Sequence, residues 1–184
     1  AEKFPEPVAR LHRALAAPEF LADLEYITGI SGLVADPSLA GGGMHITGVH
    51  GRLDVHVDFN YAKEEQLHRR LNVLVYLNEH WEDEWGGAVE LWDKHVKHCH
   101  HAVMPRLGRC VLFETSEVSF HGVQPLTVPD GITRKSFAAY YYTKESPPGW
   151  DGTSHTTVFK ARPDEHLRRW VQMPVERLQR RAKK

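Results

Sequence analysis

Cysteine is scarce in this 184-residue chain. Cys99 and Cys110 are the only two, too few for a disulfide framework, so a reducing compartment is the simpler reading. Long apolar runs are also missing. None approaches the roughly 18 residues of a membrane span, and no signal-peptide pattern opens the chain. A cytoplasmic protein without a membrane span is therefore expected. Neither sign of charge is in excess. Lys plus Arg number 23 and Asp plus Glu 24, so no nucleic-acid partner is expected. Internal repeats and low-complexity tracts are absent. What remains is an ordinary globular balance, 41% hydrophobic and 26% charged, in a chain long enough to bury its own core. One domain over residues 1–184 is expected. The unusual count is 13 histidines, a residue that ligates metals and moves protons.

The first 43 residues read as helical support. Pro5 and Pro7 open a helix carrying Val8, Leu11 and Leu15 at helical spacing. Pro18 starts a second, with Phe20, Leu21, Leu24 and Ile27 on one stripe and Gly29 as its stop. From Met44 the texture changes to short apolar–polar alternations cut by Gly, Pro, Asn and Asp, the pattern of strands. The clearest runs from Leu71 to Asn78. There Asn72, Leu74, Tyr76 and Asn78 point one way, while Leu71, Val73, Val75 and Leu77 point the other. Ala88–Trp92, Cys110–Phe113 and Lys135–Thr143 are further strands. Strands without helical spacers indicate a mainly β protein, an antiparallel sandwich or barrel over 44–143 with the helices packed outside. The extension 144–184 ends, from Pro163 onward, in a stretch that reads as a basic C-terminal helix. It is either a solvated helix face or a docking arm for an acidic partner.

His56-Val57-Asp58 places an imidazole and a carboxylate on one side of a strand, since positions i and i+2 share a face. His121 follows a second strand and precedes a turn. Arg134 lies 13 residues further on and, by alternation, shares a face with Ser136 and Ala138. Two histidines and a carboxylate can occupy one face of an octahedral Fe(II) and leave open positions for other ligands. A 2-oxo acid can chelate there, and its distal carboxylate then needs a cation at the far end of the pocket. Arginine suits that task because its guanidinium is always charged and grips carboxylate in bidentate fashion. Tyr76, on the inward face of its strand, can add a hydroxyl.

In these segments the chain resembles the Fe(II)- and 2-oxoglutarate-dependent dioxygenases of the prolyl-4-hydroxylase-like branch. The matching stretches are His56-Val57-Asp58, Leu71 to Asn78, Trp85-Gly86-Gly87, Gly108-Arg109, His121-Gly122-Val123 and Arg134-Lys135-Ser136. They cover about residues 44–143. The resemblance implies a double-stranded β-helix, or jelly-roll, core. It implies Fe(II) on His56, Asp58 and His121, which would be the catalytic and metal-binding set. It implies 2-oxoglutarate held by Arg134 and Tyr76, with dioxygen as the second cosubstrate and ascorbate as a candidate reductant. Asn72 and Ser136 share the inward faces and are assigned to the cofactor pocket. Lysine replaces this arginine in some members of the wider superfamily, and Lys135 is adjacent, but alternation favours Arg134 pointing inward. Halogenating relatives have Gly or Ala at the carboxylate position; with Asp58 present, hydroxylation of an unactivated C–H is expected, coupled to decarboxylation of 2-oxoglutarate to succinate and CO2. The substrate is expected to be a small molecule or a peptidyl group, with a prolyl or amino-acid-like one favoured.

Other candidates have plainer readings. His95, His98, Cys99, His100 and His101 are dense, but one strand cannot aim adjacent side chains at one ion, so a solvent-facing loop or strand edge is expected. His45, His50, Arg52 and Asn60 flank the His56 motif and are either ordinary surface or substrate contacts at the barrel mouth. Trp81, Trp85 and Trp92 read as structural. Thr156, Thr157 and Arg162 are weak candidates to fold back over the mouth. The competing assignments are a cupin-like metal-binding or sensor module without turnover and a zinc hydrolase; neither gives Arg134 and Tyr76 a task.

Overall fold

The computed structural model describes residues 4–36 and 39–165. Two helices come first. α1 (Glu6–Leu15) carries Pro7 in its first turn, where a missing N–H costs no intrahelical bond. α2 (Pro18–Thr28) begins on Pro18 and stops at Gly29, whose φ of 71° lies in the left-handed region that glycine enters without a Cβ penalty. Leu15 and Leu24 are buried, and Val8, Leu11, Phe20 and Leu21 pack on the same cluster. Ile27 departs from the expected stripe and is 68% exposed. The chain turns back at Gly29, and Ile30 and Leu33 join the cluster instead.

The strands are β1 (Val34–Ala35), β2 (Gly43–Thr47), β3 (Leu53–Val57), β4 (Tyr61–Ala62), β5 (Leu67–Tyr76), β6 (Val89–Trp92), β7 (Cys99–Val103), β8 (Cys110–Glu114), β9 (Phe120–Val123), β10 (Arg134–Thr143) and β11 (Val158–Phe159). They form two antiparallel sheets. In the larger, β10 and β5 are central; β1 and β2 share the free side of β10, and β4 and β8 that of β5. The smaller runs β11-β3-β9-β6-β7. This is the mainly β jelly-roll core anticipated from the sequence. Its strands do not stop at residues 44 and 143: β1 precedes that interval and β11 follows it. The expected C-terminal helix, read from Pro163 onward, falls beyond Glu165 on residues outside those described; Pro163 and Asp164 form a turn. Among the described residues no helix is long and apolar enough to cross a membrane.

The two long strands separate core from cleft. Phe137, Ala139 and Tyr141 of β10 stand opposite Val75, Val73 and Leu71 of β5 and pack under the helices. Ser136, Ala138 and Tyr140 stand opposite Tyr76, Leu74 and Asn72 and face the gap between the sheets. Near the start of β5 the register slips. Tyr141 pairs with Leu71, but Tyr142 pairs with Arg69, so Arg70 is an extra residue in the ladder. The bulge reverses the alternation there and brings Arg69 onto the same face as Asn72.

Candidate functional site

His56 on β3 and His121 on β9 stand directly opposite each other in the small sheet, with ring centroids 4.4 Å apart. Opposed residues of an antiparallel pair point to the same side. Asp58 follows the end of β3, and each of its carboxylate oxygens lies 3.5 Å from one Nε2, Oδ1 from His56 and Oδ2 from His121. One ligand atom from each of the three residues can be chosen so that all lie within 4.8 Å of one another, the only such His/Cys/Asp/Glu group among the described residues. The histidine-rich stretch does not converge; Cys99 to His101 are exposed along β7, the edge strand of its sheet.

Backbone carbonyls orient both imidazoles. His56 Nδ1 lies 2.8 Å from the carbonyl oxygen of Asp54, and His121 Nδ1 lies 3.0 Å from that of Ser119. A carbonyl can only accept, so each Nδ1 carries the proton and each Nε2 turns a lone pair toward Asp58. Burial pushes the His121 pKa down to about 4 against the pull of Asp58, so its ring is neutral at neutral pH. Burial alone would raise the Asp58 carboxyl. The adjacent His56 ring, the Arg69 guanidinium, His121 and the Asn72 amide outweigh it and hold the group well below the usual carboxylate range. Two imidazoles and one carboxylate, with their donor atoms converging, fit a divalent transition metal.

Two residues hold that carboxylate, and one of them escapes sequence alternation. Asn72 Nδ2 donates to Asp58 Oδ2 at 2.8 Å. Arg69 Nη2 lies 3.2 Å from the same oxygen, and its Nε and Nη2 donate to Asn72 Oδ1, fixing the amide. The Arg69 guanidinium rests 3.7 Å from the Tyr140 ring centroid. Asn72 lines the cleft as expected, but its side chain is committed to Asp58. Arg69 would be placed on the helix side by simple alternation from Asn72; only the bulge at Arg70 brings it here. Arg69→Met should weaken binding of a divalent metal by about 10–100-fold, the usual effect of removing an outer partner of a ligand. A metal titration of the folded variant checks this.

The second half of the site lies where β5 and β10 meet. Arg134 is 3% exposed. Its Nε donates to the Gly87 carbonyl at 2.8 Å, Nη1 to Ser136 Oγ at 3.2 Å and Nη2 to the Tyr76 hydroxyl at 3.3 Å. Lys135 points the other way and is exposed. Burial raises the Tyr76 hydroxyl pKa despite the nearby guanidinium, so the hydroxyl keeps its proton and can donate. Gly87, at φ 72°, lets the chain pass close by: a Cβ there would sit 3.3 Å from Arg134 Cδ. Among the described residues Arg134 makes no ion pair; its hydrogen-bond partners are all neutral. A buried cation without a counterion is costly, so the arrangement favours an incoming carboxylate.

A cavity of about 70 Å³ joins the two halves, lined at one end by His56, Asp58 and His121 and at the other by Arg134 and Ser136. A single water needs about 10–15 Å³, so the space admits a small molecule. Leu74, Val89 and Phe113 wall it, and the Phe113 ring packs 4.7 Å from His121. Of the flanking residues, His45 lines the cavity. Arg52 instead pairs with Asp54 and Glu165, and Asn60 bonds Glu117 and the Thr153 carbonyl. Trp81 is buried, its indole donating to the Gly86 carbonyl.

Residues 42–142 match the family model described as the 2OG-Fe(II) oxygenase superfamily. A mouse protein named prolyl 3-hydroxylase OGFOD1 is 31% identical over 78 residues, which are 40% of this chain and 14% of that protein. The chain therefore spans only a small part of that relative. Similar folds occur in a Phytophthora capsici prolyl 4-hydroxylase (23% identity, TM-score 0.53, 72% of this chain and 42% of that one) and a Pseudomonas putida prolyl-4-hydroxylase (18%, 0.52, 79% and 71%).

Proposed function

Because the chain belongs to the 2OG-Fe(II) oxygenase superfamily, we propose that it is an Fe(II)- and 2-oxoglutarate-dependent hydroxylase that oxidises an unactivated C–H. His56, Asp58 and His121 hold the iron. Arg134, Tyr76 and Ser136 take the distal carboxylate of 2-oxoglutarate. The observation that carries this is the buried, uncompensated Arg134 at the opposite end of the cavity from the three metal donors. A dicarboxylate with a keto acid at one end satisfies both ends at once. Bound together, iron, 2-oxoglutarate and dioxygen supply the oxidising equivalent for hydroxylation, with succinate and CO2 as the other products.

The protein's own part is placement. The Asp54 and Ser119 carbonyls keep the Nε2 lone pairs facing inward. Arg69 and Asn72 hold the carboxylate. Leu74, Val89 and Phe113 keep water from the cavity wall. The name of the mouse relative supports a prolyl group, free or peptidyl, as the substrate, with ascorbate as the reductant to supply in assays.

Anaerobic addition of Fe(II) and 2-oxoglutarate tests the reading. A visible charge-transfer band of the keto acid chelate should appear, then decay on admission of oxygen as succinate forms. Folded protein that gives neither band nor succinate would overturn it in favour of a metal-binding module without turnover.

A further inference from the structure

The segment after the barrel returns to the metal site. β11 pairs with β3 so that Phe159 stands opposite His56, and the two rings lie 5.3 Å apart. Lys160 N donates to the Val55 carbonyl at 2.8 Å. Arg162 then turns under the outer face of the small sheet. Its Nε donates to Glu90 on β6 at 2.9 Å, and its Nη2 donates to the Leu53 carbonyl of β3 and the Val123 carbonyl of β9 at 3.1 and 2.9 Å. Both charged side chains are 7% exposed. Glu165 closes the segment, accepting from Arg162 N at 3.0 Å and from Arg52 at 2.6 Å.

The place that Arg162 occupies matters. Leu53 pairs with Val123, yet His56 pairs with His121: three steps on β3 answer two on β9. That bulge is what puts the two histidines opposite each other. The two carbonyls that Arg162 takes, those of Leu53 and Val123, belong to the pair that begins the irregular step. Gly122, beside His121, makes room for the guanidinium; a Cβ there would lie 2.9 Å from the Leu53 oxygen and 3.1 Å from Arg162 Nη2.

We propose that Arg162 is a positioning residue for the metal centre: with Glu90 it clasps β3, β9 and β6 at the bulge and keeps His56 and His121 in the register that aims both at Asp58. The inference rests on the metal-binding role proposed above. Arg162 touches neither metal nor cosubstrate and acts from the far side of the sheet. Lysine cannot reproduce it, because one ammonium lacks the fork that spans two carbonyls and a carboxylate.

The test uses the full chain and Mn(II), whose free form is counted by electron paramagnetic resonance. Arg162→Met should raise the Mn(II) Kd about tenfold or more, with Arg162→Lys between it and the parent. Leu24→Ala, in the helical layer, should lower the melting temperature and leave the Mn(II) Kd unchanged. Removing one partner of a buried ion pair can unfold a protein, so Glu90→Gln, which keeps an acceptor and loses the charge, is the second variant and should weaken binding several-fold. The proposal is overturned if folded Arg162→Met or, failing that, Glu90→Gln binds Mn(II) within about twofold of the parent, below the usual outer-partner effect. It is equally overturned if Leu24→Ala weakens binding as much as the clasp variants do, since general loosening would then explain both. Failure of the parent chain itself to bind Mn(II) is a different result: it removes the metal-site reading beneath.

Discussion

Asp58→Ala should reduce succinate formation to background and abolish the chelate band. The reason is the charge balance of the site. Asp58 is the sole anion among the three donors, with an imidazole nitrogen 3.5 Å from each of its oxygens and Arg69 at 3.2 Å. Without it, two imidazoles face the buried Arg69 guanidinium, and a divalent cation meets net positive charge. The same change should destabilise the metal-free protein. Asp58 is ionised more easily in the folded chain than in the unfolded one, so it contributes stability above its ordinary pKa of 3.8, which is lost as pH falls below that value. At neutral pH the full contribution is present, and removing the partner of a buried Arg costs about 3–5 kcal/mol. Asp58→Asn should keep more of the stability, since its amide oxygen can still accept from Arg69, and still lose the succinate signal. Thermal unfolding at pH 7 and a succinate assay read the two effects separately. Full turnover in the alanine variant would sink the assignment of Asp58 to the metal.

Arg134→Ala should separate the two measurements, weakening cosubstrate binding while leaving stability nearly intact. Losing a buried, charge-assisted grip on a carboxylate costs about 2–5 kcal/mol. That corresponds to a roughly 30- to 5,000-fold higher requirement for 2-oxoglutarate. In the metal-free protein, however, Arg134 is a buried cation with only neutral hydrogen-bond partners, and burial already disfavours its charge. Removing it relieves that cost, so the melting temperature should fall little or rise. Metal affinity should hold, because the donors lie at the other end of the cavity. Lys135→Ala serves as the control: the side chain is exposed on the other side of β10, and its variant should keep the parent response to 2-oxoglutarate. Equal behaviour of the two variants would remove Arg134 from the cosubstrate site.

Much of this site could be read from the order of residues. Period-two alternation put Asn72, Leu74 and Tyr76 on one face and Leu71, Val73 and Val75 on the other, and separated Arg134 from Lys135. Those statements need nothing beyond a strand that is regular from end to end. Helix limits at Pro18 and Gly29 were equally local, set by a missing N–H and a missing Cβ. Three other features were not legible. Arg69 falls on the wrong side by alternation and reaches Asp58 only because Arg70 bulges out of the ladder. β11 is two residues long, too short for any pattern, and is a strand only because β3 offers it an edge. Arg162, by sequence a weak candidate to fold back over the barrel mouth, is instead buried on the far side of the small sheet against Glu90, 72 positions earlier. The sequence alone determined which residues are candidates for the site and which strand faces they share, because alternation and capping are properties of neighbouring residues. Tertiary structure alone decided how those faces are brought into register, because bulges and buried ion pairs are settled between strands that lie far apart along the chain.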